Sequence, residues 1–447
     1  MQAFMHGGLR RPGRLRPGCA AWMRLGQQLA AAALVAVHGL AAGRMESSDN
    51  ADRQPANATL TTHWAASARV WHDDNPLQQR GAVAADQASA VASLGVRGRL
   101  DWQHAEPGFS SQARLQADSQ WVRYAALPEE SFSRHEANAA FRLENGPWRV
   151  QLEAKGRFTA GSREAPTVRS PWQIPPLGDT EARDRRRNLR LQESFEIRRD
   201  HERWVWRLVG RGKHQDFHTR HRAQPGYRNY VDRADLRAGP DVGWKAGREA
   251  VLWFGYRAGV QDQPLPPLPP FLSEANTYHR IHVGLAVGLG AGWRFEGIVG
   301  PELHLLDPKH LAPGANDVRW LPYFRAELQG RLGPATRLRL QASQEFVPSS
   351  SGRVLYRNLA LRAGVEQTLG RNLSLTALGD LREFVYPRPI GRTDLGLRPE
   401  LRLTWSPAPG LRILAQWRFT WAETVAPADT GRGYRRHEFG GGIEAEF

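Results

Sequence analysis

Cysteine is almost missing from this chain. Among 447 residues the only one is Cys19. It falls in a segment with the features of a cleaved leader, so a processed chain has neither disulfide nor thiol chemistry. Beyond that leader no stretch of about 20 apolar residues occurs, which excludes a membrane-spanning helix. No repeat of fixed length is found, which argues against a propeller or a solenoid. G-x-S-x-G, H-E-x-x-H and a phosphate-binding glycine loop are all absent, and with them the common signatures of hydrolases, zinc proteases and nucleotide enzymes. Lysine is scarce, so arginine supplies nearly all of the basic charge behind a formal net charge of +16. The arginines recur along the whole chain instead of forming one basic block. That spread does not suit a nucleic-acid-binding face, and no nucleic-acid partner is expected.

The leader is residues 1–41. Arg10, Arg11, Arg14, Arg16 and Arg24 open it, an apolar run follows from Leu29 to Leu40, and Ala41, Ala42 and Gly43 offer a small-residue cleavage site. This is the order of a secretory signal peptide; the apolar run is too short to serve comfortably as a membrane anchor. Residues 42–60 are few and polar, and read as a short periplasmic segment that does not fold alone. Residues 61–447 remain for the folded body.

That body has a period of two. In Trp148–Phe158, Arg149, Gln151, Glu153, Lys155 and Arg157 alternate with Trp148, Val150, Leu152, Ala154, Gly156 and Phe158. In Leu411–Trp421, Leu411, Ile413, Ala415, Trp417, Phe419 and Trp421 share one face; Arg412, Gln416, Arg418 and Thr420 share the other, and Leu414 is the exception. Alternation at period two marks a strand with one apolar face, and the 3.6-residue helical period is not seen. Tight-turn residues recur near 105–107, 144–147, 200–202, 246–249, 290–292, 333–335, 370–371 and 407–410. Longer links lie between them, at 160–184, 217–227, 263–276, 306–316, 348–352, 387–394 and 425–433. Strands of 10–15 residues, running from Thr62–His72 to Tyr434–Phe447, then number about 18, within a range of 16–18. Soluble sandwich strands are about half as long.

The expected fold is therefore all-β: a transmembrane, antiparallel, up-and-down β-barrel with short turns at one end and long loops at the other. Arginine can alternate with leucine because the two faces meet different solvents, hydrocarbon outside and water within. This also accounts for a mean hydropathy of only −0.54 in a membrane protein. Trp148, Trp204, Trp293, Trp405 and Trp421 fall near strand ends, where an aromatic girdle belongs. Some residues resist the pattern. Glu193 lands on the apolar face near mid-strand, where a bulge would have to reset the register. Pro322 and Pro399 fall inside strands. Arg357 and Glu423 land on the lipid side near the outer rim.

The last residues, YRRHEFGGGIEAEF, place Phe439, Ile443 and Phe447 on one face and end in phenylalanine. This resembles the terminal strand of bacterial outer-membrane barrels. The chain as a whole resembles outer-membrane β-barrel porins, and ARVWHDDNPLQQ (68–79) resembles a porin group whose first strand runs into an Asp-Asn turn. The resemblance implies a Gram-negative outer-membrane location, contact with its lipid, and insertion by the barrel-assembly machinery, which reads the Phe439/Ile443/Phe447 strand.

A barrel of this size is wide enough for a channel. The lumen-facing positions are expected to include Arg149, Lys155, Arg157, Arg190, Arg207 and Arg211 from the first half of the chain. Arg319, Arg325, Arg337, Arg339 and Arg362 follow, and Arg398, Arg402, Arg412 and Arg418 complete the set. Acids on the same wall, such as Glu153, Glu196, Glu327, Glu345, Glu366, Asp380 and Glu400, are fewer. Two outcomes compete: a neutral, cross-strand lattice that braces the wall, or an excess of guanidinium that attracts small anionic solutes. The functional expectation is an aqueous pore for small anions. The alternatives are the barrel of a surface-polysaccharide export system and an outer-membrane enzyme. Loop 160–184, with Arg163, Glu164, Arg169, Trp172, Asp179 and Glu181, is a candidate constriction. His214, His218 and His221 have spacings that could bind metal, but Arg220 and Arg222 beside them oppose a cation; no metal or other cofactor is expected.

Overall fold

The computed structural model describes residues 57–76, 88–162, 186–216, 232–263, 273–311, 313–348, 355–387, 391–426 and 433–447. They form strands β1 (Asn57–Asp73), β2 (Ser89–Glu106), β3 (Phe109–Tyr124), β4 (Phe132–Asn145), β5 (Trp148–Ser162) and β6 (Arg186–Asp200). Next come β7 (Trp204–Asp216), β8 (Arg233–Lys245), β9 (Ala250–Asp262), β10 (Asn276–Gly290), β11 (Trp293–Leu306) and β12 (Val318–Arg331). The last are β13 (Thr336–Pro348), β14 (Leu355–Thr368), β15 (Leu373–Tyr386), β16 (Arg392–Ala408), β17 (Leu411–Ala426) and β18 (Gly433–Glu446). The first strand begins at Asn57, inside the stretch expected to be a separate N-terminal segment.

Each strand pairs antiparallel with the next, and β18 returns to pair with β1 from Ala65↔Glu446 to Asp73↔Glu438, so the 18-stranded sheet is closed. Closure leaves no strand edge for lipid to meet, which a bilayer-spanning sheet requires. All eight tight turns lie where the Gly, Pro, Asn and Asp signals stood, and the long connections lie at the opposite end. The sequence pattern had not marked the connections after β1 and β3.

Two details close the barrel. At the short-turn end, the backbone N–H and C=O of Phe447 pair with the C=O and N–H of Trp64 at 2.9 and 3.0 Å. At the long-loop end, the Asp-Asn turn clamps β18. Arg436 Nε donates to Asp73 Oδ1 at 2.9 Å, the His437 N–H donates to Asp74 Oδ1 at 2.6 Å, and Asn75 Nδ2 donates to the Arg435 carbonyl at 2.8 Å. Asn75→Ala orphans that carbonyl and is expected to cost about 1 kcal/mol. Faster amide exchange at Arg435–His437 would reveal it; protection equal to wild type would show that the turn is not a clamp.

One face of the sheet is apolar. Leu94, Leu115, Ile197, Leu208, Phe254, Val283, Val299, Leu340, Leu361 and Leu401 are exposed on it, and Phe439 and Ile443 share it at 54% and 53% exposure. Trp148, Trp204, Trp244 and Trp405 stand exposed at the short-turn end as a girdle. Glycine opposite an aromatic ring recurs: Trp64 lies over its cross-strand partner Gly98, whose Cβ would sit 2.8 Å from the indole. Glu193 stays on this apolar face. The expected bulge is not there, since the ladder runs unbroken from Leu189 to Asp200 on the β7 side and through Glu193 on the β5 side. Arg357, also on this face, has a partner that sequence did not suggest: Glu383 at 2.5 Å. A lipid-side charge near the rim is thus paired.

Pro322 marks the one seam in the wall. β12 and β13 pair from Phe324↔Gln344 to Arg331↔Arg337 and part beyond that, although β12 stays on β11 as far as Val318 and β13 stays on β14 as far as Pro348. Proline at 322 has no N–H to leave orphaned. Its carbonyl accepts from Gln344 Nε2 at 3.0 Å, and the Phe346 carbonyl accepts from Gln261 Nε2 of β9 at 3.0 Å. The Phe346 ring lies 6.3 Å from that of His304, which belongs to the non-apolar face of β11. The long-loop end of β13 therefore passes inside the wall and laps over β9–β11. Tyr278 and His304 are buried beneath the lap.

Candidate functional site

The second face of the sheet is polar, and register decides its membership. Glu136↔Arg157↔Arg190↔Gln215↔Arg233 runs across β4–β8, and Gln341↔Arg362↔Asp380↔Arg398 runs across β13–β16. Side chains from both runs line one cavity of ≈ 550 Å³, so this face surrounds the lumen. Following the register around the sheet places Arg149, Lys155, Arg207, Arg211, Arg319, Arg325, Arg337, Arg339, Arg402, Arg412 and Arg418 on it as well. Leu414, the exception to the alternation in β17, also points inward, opposite Gly442.

Most of these cations are in ion pairs, and carboxylates are shared. Glu136 meets Arg157 at 2.8 Å, Lys155 at 3.5 Å and Arg134 at 3.5 Å. Asp380 meets Arg382 at 2.7 Å, Arg398 at 3.2 Å and Arg362 at 3.6 Å. Glu400 meets Arg402 at 2.8 Å and Arg418 at 2.9 Å, and Arg412 pairs with Glu446 at 2.8 Å. Arg149 pairs with Glu144 at 2.9 Å, Arg339 with Glu327 at 2.9 Å, Arg337 with Glu366 at 3.7 Å and Arg319 with Glu274 at 2.7 Å. The wall is a cross-strand lattice, yet one acid set among three bases leaves two positive charges uncompensated.

The surplus is greatest in the cavity. Ten basic side chains line it, Arg157, Arg190, Arg211, Lys213, Arg233, Arg237, Arg325, Arg362, Arg382 and Arg398, against three acids, Asp235, Glu345 and Asp380. Among the described residues, Arg190, Arg211 and Arg237 have no carboxylate within 4.0 Å. Arg237 was not singled out from sequence. Its signal was available: Arg233, Asp235 and Arg237 alternate at period two, but Pro240 interrupts the strand just beyond.

A second cluster is buried in the wall of β7–β11. Asp241 accepts from Arg257 Nη1 and Nη2 at 2.6 and 2.7 Å and from Arg207 Nε at 2.6 Å, with His282 Nε2 at 3.2 Å. The Arg207 guanidinium lies 4.0 Å from the Trp253 ring centroid. Beside it, Arg280 Nε donates to Glu302 Oε1 at 2.6 Å, and Glu302 Oε2 is 3.2 Å from His304 Nε2. These groups are sequestered from solvent and joined by ion pairs across neighbouring strands, so they brace the wall.

Of the remaining candidates, the part of loop 160–184 beyond Ser162 and both His218 and His221 lie outside the described residues. Among the described residues no cluster of His, Cys, Asp or Glu could hold a metal ion, and no helix is long and apolar enough to cross a membrane.

A closed antiparallel sheet with an apolar belt, an aromatic girdle and a polar interior fits one environment. The chain is an outer-membrane β-barrel. Its architecture is an 18-stranded, closed, antiparallel sheet. No family model and no curated protein matches its sequence. Solved structures similar to the barrel include OpdQ of Pseudomonas aeruginosa, 8% identical, covering 87% of this chain and 97% of that one, with a TM-score of 0.43. OccK5 (OpdH) of the same organism is 7% identical, covers 88% of this chain and 98% of that one, and has a TM-score of 0.42. The FrpB iron transporter of Neisseria meningitidis is 9% identical at a TM-score of 0.37; the match covers 81% of this chain but only 62% of FrpB. These are likenesses of fold and do not reach the solute.

Proposed function

We propose that the barrel is an aqueous pore whose arginine-rich lumen favours small anionic solutes. The observation that carries this reading is the imbalance of ten bases to three acids around one cavity. Fixed positive charge in a narrow passage between low-dielectric walls concentrates anions and repels cations. Arginine adds forked donors that fit carboxylate and phosphate oxygens. A polysaccharide export barrel would use the same charge but needs periplasmic partners. Phe439, Ile443 and Phe447, outward on the terminal strand, suit recognition by the barrel-assembly machinery during insertion.

The test is a reversal potential in planar bilayers under a tenfold KCl gradient, where ideal selectivity gives about 59 mV. The wild type is expected on the anion side of zero. The triple variant Arg190→Gln/Arg211→Gln/Arg237→Gln is expected to move toward zero, because these side chains have no close carboxylate to liberate. Arg402→Gln/Arg412→Gln, drawn from the paired lattice, is expected to move it less. A triple variant as selective as wild type would sink the reading.

A further inference from the structure

Lys213 and Glu345 meet across the interior. Lys213 is on β7 and Glu345 on β13, with five strands between them along the wall, yet Nζ lies 3.8 Å from Oε2. No neighbouring-strand lattice can produce such a contact. It exists because β13 parts from β12 beyond Gln344 and laps inward over β9–β11, carrying Glu345, the next residue, toward β7. The lap is held by Gln261 on the Phe346 carbonyl and Gln344 on the Pro322 carbonyl, both at 3.0 Å. Both crossbar side chains line the central cavity and remain about one-third exposed, at 34% and 30%.

The surroundings of the two ends differ. Lys213 sits in register with Gln192 and Asp235, with Arg211 and Arg237 on the same faces of β7 and β8. Glu345 is in register with Asn358, whose Nδ2 is 3.4 Å from Oε1. Glu345 is thus the acid that β13 presents to a basic group of Lys213, Arg211 and Arg237, which already holds Asp235 on β8. An anion moving through the cavity meets the same cations, and must share them with or take them from this carboxylate.

We propose that the Lys213–Glu345 crossbar is the selectivity-determining constriction of the pore, with Glu345 acting as a built-in competitor for the cations that a passing anion uses. The inference rests on the pore reading above. It goes beyond the charge-excess argument because it places the selectivity at one contact between two named residues. Removing Glu345 vacates the site for an external anion; removing Lys213 takes one cation from the group that Glu345 and a passing anion share.

The experiment uses the full mature barrel, with chloride as the probe, in planar bilayers under a KCl gradient. Glu345→Gln is expected to raise single-channel conductance and shift the reversal potential further to the anion side. Lys213→Met is expected to shift it the opposite way. Glu345→Asp, which withdraws the carboxylate by one methylene, is expected to raise conductance with a smaller shift and guards against a folding defect in the glutamine variant. Each protein is first checked for the heat-modifiable gel mobility of a folded barrel. Opposite shifts support the crossbar, since a purely structural pair would move both variants the same way. Shifts of the same sign, or none, in a conducting barrel would overturn it while leaving the pore reading intact. A silent wild type would overturn the pore reading and this inference with it.

Discussion

Replacing Asp241 by alanine is expected to cost about 3–5 kcal/mol, the usual loss when one member of a buried ion pair is removed. Asp241 is fully buried, and Arg207 and Arg257 keep only 13% and 9% of their side-chain surface. The alanine variant leaves the Arg257 guanidinium without its carboxylate and Arg207 with only the longer contact to Glu196 at 3.7 Å, in a site closed by Trp253 and the adjoining strands. Gly255, the cross-strand partner of Asp241, has no room for rearrangement: a Cβ there would lie 2.0 Å from Asp241 Oδ1 and 2.4 Å from His282 Nε2. Asp241→Asn keeps the planar shape and one acceptor, so its loss should be smaller. Denaturant unfolding in detergent micelles, followed by heat-modifiable mobility, measures both. An alanine variant as stable as wild type would mean that water reaches the arginines and that the cluster does not brace the wall.

Arginine in place of Leu361 is the second large effect. Leu361 lies at the middle of β14, exposed at 46% on the apolar face between Ala342 and Leu381. A guanidinium at the hydrocarbon midplane of a barrel costs about 2–4 kcal/mol. Thr376→Arg is the matched control. Thr376 is on the polar face of β15, in register with Glu366 and Arg402, so a new cation there gains a carboxylate neighbour and is expected to cost little. Folding into lipid vesicles, titrated with urea, gives both values. Equal costs for the two variants would contradict the assignment of oil to one face and water to the other.

These two predictions draw on different kinds of information. The Leu361 experiment follows from alternation alone. The bases Arg149, Lys155 and Arg157, or Arg398 and Arg402, fall an even number of residues apart because a strand returns to the same face at every second residue. The sequence had the tight turns for the same reason: Gly, Pro and Asn supply dihedrals that other residues avoid. Strand number, closure and the polar face all follow from these local rules. Glu193 shows their limit in a useful direction, since the alternation was right and the bulge invoked to excuse it was not.

The clusters that do something specific were not legible. Asp241 lies just after Pro240, where the pattern stumbles, and its partners come from β7, β9 and β10. Arg190 and Arg237 are ordinary alternating arginines until one asks which acids stand within reach. Local sequence states which way a side chain points, because that is a property of one strand's backbone. It does not state what the side chain meets, because cross-strand register and the curvature of a closed wall are properties of the whole sheet. The two faces, one for lipid and one for water, were determined by the sequence alone. The lap of β13, the crossbar from Lys213 to Glu345 and the surplus of positive charge around one cavity were decided only when eighteen strands closed and one pair came apart at Pro322.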